Sequence, residues 1–134
     1  MEIFRPLMER VILSPRNPIA LREQESEPQP DLTLLHFQDD FYASAHPEPD
    51  AIFLLIEISD SSLSYDRKVK IPLYAASGIP EAWLIDLNRD LLLVFRLPSP
   101  KGYQEIRELR RGDRVSPEAF PELSLSLDEI FGSR

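Results

Sequence analysis

The sequence predicts a mixed α/β domain with a β-rich core and one principal helix. Three observations carry this. The run Ile52-Phe53-Leu54-Leu55-Ile56-Glu57-Ile58 is apolar almost throughout, as a central strand buried on both faces must be. Ala82 to Leu87 and Leu91 to Arg96 are two further strand-like stretches, and Asn88-Arg89-Asp90 between them has the length and chemistry of a hairpin loop. Asp66 to Ser77 reads as a helix with Asp66 as its N-cap, stopped by Gly78 with Pro80 just beyond.

Taken in chain order, Val11-Ile12-Leu13 and Ile19-Ala20-Leu21 read as short strands joined by a turn, with Pro15 and Pro18 favouring an edge or bend. Gln24 to Pro30 has no apolar residue and two prolines, and is a loop. Asp31 to Phe37 alternates as a strand with an acid at its start. Asp39 to Pro49 is polar and aromatic, with one helical turn expected around Phe41 and Tyr42. Ala51 to Ser59 is the strongest strand, and Ser61 to Ser64 forms a turn. Pro72 lies inside the expected helix and must kink it, at about 3 kcal/mol that packing has to outweigh. Tyr103 to Leu109 alternates and is followed by a turn at Arg111-Gly112-Asp113. Leu123 to Leu127 is a last alternating run, and Ser126 with Glu129 forms a capping box for a final helical turn ending near Phe131 and Gly132.

A chain of 134 residues with 43% hydrophobic content fits one domain over residues 1–134. There are no cysteines, which excludes disulfides, thiolate zinc sites and cysteine nucleophiles and suits a reducing compartment. His36 and His46 are the only histidines, so a multi-histidine metal site is excluded. The longest uninterrupted apolar run, Ala51 to Ile56, is far short of the roughly 20 residues of a spanning helix, so the expectation is a cytoplasmic protein with no membrane partner. Net charge is −8, from 15 Lys plus Arg against 23 Asp plus Glu. That argues against tight non-specific binding to a polyanion, but a metal-dependent phosphodiesterase needs clustered carboxylates, and a local cationic patch or bound cation offsets a negative total.

Glu57 is the most informative oddity, because a charge at the end of a buried strand is costly unless it is paired or coordinates a cation. It either meets a partner or lies where the strand emerges into solvent. Asp31 follows Pro30, which favours extended backbone before it and delivers an acid at a strand entrance; alternatively it caps a turn. If the two strands are neighbours, both carboxylates converge on a point where a hard divalent ion finds oxygen ligands. On the expected helix, Asp66, Lys70, Leu73, Tyr74 and Ser77 share one side while Lys68 points away. Lys70 is thereby turned towards the sheet, where its ammonium can orient a water or stabilise phosphoryl charge, or else it snorkels to solvent.

The runs EPQPDLTLL and IFLLIEISDSSLSYDRKVKIPLYAASGIPEAWLIDL resemble the Uma-two family of bacterial endonucleases, within the PD-(D/E)xK restriction-endonuclease-like superfamily, over roughly residues 10 to 131. The resemblance implies a restriction-endonuclease-like core. Asp31 then matches the acid of the PD element, Glu57 the second metal ligand and the backbone carbonyl of Ile58 a further ligand. Where the superfamily has lysine two residues after that glutamate, this chain has Ser59; the family's lysine has moved to the following helix and is matched by Lys70. Gln24 and Tyr74 fall where residues supporting the ligands would stand. Family members carry a longer N-terminal segment with a helix and another acidic residue, so that helix is expected to be missing here, with residues 1–9, including Glu2 and Glu9, as a remnant.

The reading that follows is a Mg²⁺- or Mn²⁺-dependent endonuclease acting on nucleic acid, DNA in the first instance, through Asp31, Glu57 and Lys70, and assembled as a homodimer. The alternatives are a shortened, catalytically inactive relic of the nuclease fold that dimerises or binds partners, and an antitoxin-like protein-binding module with an exposed apolar patch and no organised carboxylate pair.

Overall fold

The computed structural model describes residues 2–59 and 65–132. Its centre is β3 (Ile52–Ser59), the strand that the apolar run predicts, with β1 (Val11–Pro15) and β2 (Leu32–His36) on one side. On the other side lie β4 (Glu81–Asp86), β5 (Leu91–Ser99) and β6 (Gly102–Arg110), giving a six-stranded sheet in sequence order. Every neighbouring pair is antiparallel except β3 and β4, which run parallel. A parallel pair needs a long crossover, and the segment carrying helix α1 (Ile71–Ala76) supplies it.

Strand alternation divides the core between two faces. On one, Leu55, Leu84, Leu93 and Phe95 lie beneath Ile71, Tyr74 and Ala75 of α1. On the other, Leu54, Ile56, Trp83 and Val94 are covered by Phe4 and Leu7 of a 3₁₀ helix (Glu2–Leu7), together with Val115, Phe120, Leu125 and Leu127. Burying each such large side chain contributes roughly 1.5–3 kcal/mol. Val115 and Leu125 belong to a two-stranded ribbon, β7 (Arg114–Val115) with β8 (Leu125–Ser126), and Leu127 opens α2 (Leu127–Phe131). The Ser126–Glu129 capping box forms as expected.

Glu81, at the start of β4, ties this second layer to the sheet. It is fully buried, and it accepts hydrogen bonds from Trp83 Nε1 (2.8 Å), Arg96 Nε (2.9 Å) and the Glu118 amide (2.7 Å). The Arg96 guanidinium also donates to the Ser116 carbonyl (2.7 Å).

Four sequence expectations are corrected. Ile19-Ala20-Leu21 is not a strand: its amides donate to the carbonyls of Pro28, Pro47 and Ser26, because the surrounding proline-rich loops offer acceptors that no aligned strand does. Phe41 and Tyr42 form no helical turn; both sit at positive φ (52° and 61°) in a loop held by Asp40. The helix Asp66–Ser77 is not uniform either. Asp66–Lys70 is a π-helical turn, in which the Ile71 amide reaches back to the Asp66 carbonyl, and only Ile71–Ala76 is α-helical. Pro72 explains this, since its ring would strike the carbonyl four residues earlier in a regular helix, and a π turn widens the backbone at that point. Finally, Asp66 is not an N-cap: it lies inside the turn with its side chain buried. Gly78 ends the helix at φ +81°, as its position predicts. The expected turn at Ser61–Ser64 lies outside the described residues.

Candidate active site

The β2–β3 register pairs Leu32 with Ile56, so Asp31, one residue before β2, arrives beside Glu57, one residue further along β3. The chain bends at Asp31, and its carboxylate oxygen Oδ2 accepts the Ile58 amide at 2.7 Å, in place of a ladder carbonyl. Within an extended strand the N–H and C=O of one residue face the same edge. The Ile58 carbonyl therefore points to the Asp31 side, where the preceding Pro30 has no N–H to give it. Asp31 Oδ1 stands 3.8 Å from Arg16 Nε, and the Asp31 side chain keeps 27% exposure.

Glu57 shares the face of Leu55 and is covered by the crossover. It is 2% exposed. Tyr74, fully buried on α1, donates its hydroxyl proton to Glu57 Oε2 at 2.5 Å, and Lys70 Nζ lies 3.4 Å from the same oxygen. Lys70 also faces Asp66 at 3.6 Å, a pairing the four-residue spacing permits. Lys70 thus bridges two buried carboxylates, while Lys68 is exposed, in agreement with the predicted stripe.

The electrostatics follow from burial. Desolvation raises the pKa of Glu57 above the usual carboxylate range, against the opposing pull of the Tyr74 hydrogen bond and the Lys70 charge; Asp31 and Asp66 add to the rise. Burial pulls Lys70 down, but Glu57, Asp66 and Asp31 outweigh it and hold the ammonium charged above its ordinary pKa. Tyr74 is raised by burial and by the adjacent carboxylate, so it remains a neutral donor.

Of the sequence-predicted residues, Glu57 and Lys70 are in direct contact, and Asp31 reaches the same strand end through the amide of Ile58, the residue after Glu57. Of the two residues expected to support the ligands, Tyr74 donates to Glu57, whereas Gln24 is exposed in a 3₁₀ turn (Arg22–Gln24). Asp66 was missed as a site residue, although its spacing from Lys70 was the available signal. Among the described residues, no group of three or more His, Cys, Asp or Glu side chains is arranged to hold a metal. The donors that the β3 end offers are nonetheless oxygens, two carboxylates and a main-chain carbonyl, which is the chemistry a hard divalent ion takes, with water filling its other positions.

A family model described as "Putative restriction endonuclease", Uma2, matches residues 2–128. This chain belongs to the Uma2 family. The six-stranded mixed sheet and its crossover helix are a restriction-endonuclease-like fold. They are similar to a crystal structure titled as that of a "putative nuclease" from Anabaena variabilis, with a TM-score of 0.72 and 19% identity, covering 97% of this chain and 72% of that one. No curated protein matches the chain. Among the described residues of this Uma2 member, no helix is long and apolar enough to cross a membrane.

Proposed function

We propose that the protein is an endonuclease that hydrolyses phosphodiester bonds of DNA, with Mg²⁺ or Mn²⁺ held by Asp31, Glu57 and the Ile58 carbonyl, and with Lys70 as the positioned cation. The observation that carries this reading is the Lys70 ammonium 3.4 Å from a buried Glu57, beside the point where Asp31 meets β3. A buried carboxylate with a perturbed pKa and a specific charged partner is a candidate for a site of chemistry.

Held by Asp31, Glu57 and the Ile58 carbonyl, a divalent ion would supply Lewis acidity for activating water and positive charge against that developing on the phosphate. The chain's own groups do the rest. Tyr74 fixes the Glu57 carboxylate by donating to Oε2, and among the described residues Oε1 has no hydrogen-bond donor. Asp31, tethered by the Ile58 amide, presents its remaining lone pairs to the same region. Lys70, kept charged by Glu57 and Asp66, offers its N–H bonds to the attacking water or a phosphate oxygen. Burial under α1 removes competing solvent from Glu57 and strengthens each of these interactions.

The reading includes a homodimer in the cytoplasm, because cutting both strands of a duplex is met by two sites related by a twofold axis; sedimentation equilibrium checks the assembly. The function itself is tested by incubating supercoiled DNA with the protein and Mg²⁺ or Mn²⁺. Nicking that stops on chelation and is lost in Glu57→Gln and Lys70→Met supports it. No nicking of any DNA or RNA by a folded protein that binds the ion contradicts it and favours the inactive-relic alternative.

A further inference from the structure

We propose a second site, a phosphate-binding pocket formed by Arg96, Arg107 and Arg114 on the sheet face opposite Glu57. Alternation places it there. Arg107 is opposite Val94 in the β5–β6 register, and Arg96 is two residues from Val94, so all three share the face packed against Phe4 and Phe120, whereas Glu57 shares the face of Leu55 under Tyr74. Arg114 enters from β7. The three arginines line an open cavity of about 240 Å³ with Val115, Ser116 and Ser124.

Two features distinguish this cluster from the other arginines of an acidic chain. The first is charge balance. Most arginines elsewhere stand against carboxylates, Arg10 with Glu122 and Arg111 with Asp90 and Asp128 among them. Here Glu81 answers Arg96, but among the described residues Arg107 and Arg114 have no carboxylate within ion-pair distance. Glu105, opposite Arg96 in the register, does not line the cavity. The second feature is preorganisation. Arg96 is fixed through Nε and one terminal nitrogen by Glu81 and the Ser116 carbonyl. Arg114 is fixed in the same manner by the Ser124 hydroxyl (2.8 Å) and carbonyl (3.1 Å). Among the described residues, the other terminal nitrogen of each has no hydrogen-bond partner, and Arg107, which is exposed, makes no hydrogen bond or ion pair. Fixed guanidinium forks with spare N–H donors and an uncompensated positive charge fit a tetrahedral oxyanion, and a phosphate group is the one a nucleic-acid-processing protein meets.

The test is a titration of inorganic phosphate into the full chain at low salt, followed through the arginine Nε–H resonances, and then of a short DNA duplex into the phosphate-loaded protein. The pocket predicts saturable shifts of Arg107 and Arg114, weakened about tenfold or more by Arg107→Glu and unchanged by Glu57→Gln. Because Arg107 is exposed on an edge strand, its replacement leaves the core intact; Arg114→Gln provides a second variant. A folded wild type without saturable shifts, or an Arg107→Glu variant that binds as wild type does, overturns the proposal. Displacement of phosphate by the duplex assigns the group to a nucleic-acid backbone, and phosphate retained beside the duplex assigns it to a free anion; the pocket stands in both cases.

Discussion

Glu57 and Glu81 are both carboxylates buried at the ends of neighbouring strands, one on each face of the sheet, and burial raises the pKa of both. Their hydrogen bonding separates them. Glu81 is served on both oxygens, by the Glu118 amide on Oε1 and by Trp83 and Arg96 on Oε2. Among the described residues, the contacts of Glu57 with Tyr74 and Lys70 both fall on Oε2. A buried carboxylate whose acceptor sites are taken by fixed donors belongs to the scaffold. One that is equally buried but retains an oxygen uncommitted among the described residues has capacity for another ligand, which would add to the partial compensation that Tyr74 and Lys70 give its desolvation.

The comparison breaks most visibly at Glu81. Glu81→Ala strands a largely buried Arg96 and is expected to cost about 3–5 kcal/mol of unfolding free energy, read by urea denaturation. If instead it leaves stability unchanged but abolishes metal binding, the roles assigned to the two glutamates are reversed. Next in size is Lys70→Met, predicted to lower DNA nicking about 100-fold while ion affinity changes far less. Loss of ion binding without a separate effect on turnover at saturating ion would place Lys70 in the scaffold.

Tyr74→Phe is a smaller change. It removes the bond that draws the Glu57 pKa down, so that pKa rises further, and Mg²⁺ affinity at neutral pH is expected to fall about tenfold, with the pH at which binding fails moving upward. Unaltered affinity across pH would show that the hydroxyl does not prepare the carboxylate.

The smallest effect is on stability in Glu57→Gln. A carboxyl whose pKa is raised by folding contributes stability that is fully present below its unfolded value and lost as pH rises through the raised one. Glutamine is neutral throughout, and Lys70 keeps Asp66 as a partner. The variant is therefore expected to melt above the wild type at neutral pH, with the gap closing as pH falls towards about 4.3. Melting curves with a constant gap across that range would contradict the burial argument.

The sequence was readable where a local pattern determines structure. Continuous apolar residues marked β3, Asn88-Arg89-Asp90 marked the β4–β5 hairpin, and Ser126 with Glu129 marked the cap of α2. It was unreadable where partners lie far apart along the chain. Glu81 draws on Trp83, Arg96 and Glu118, and nothing near Glu81 announces the last two. Ile19 to Leu21 have the composition of a strand but take their acceptors from loops, Pro28 and Ser26 in the one that follows and Pro47 in one further along the chain. The site was half legible: Glu57 stood out against its apolar run and Lys70 against its helical face, whereas Asp66 looked like a cap because a π turn cannot be told from an α turn by spacing alone.

The central claim is that Glu57, with Asp31, is held ready for a cation while Glu81 is not. Calorimetric titration of Mg²⁺ into the wild type, Asp31→Asn, Glu57→Gln and Glu81→Gln, each shown to be folded, tests it most directly. The account predicts one saturable site that disappears in the Asp31 and Glu57 variants and persists in the Glu81 variant. A folded wild type that binds no ion, or a Glu57→Gln variant that binds as the wild type does, would contradict it.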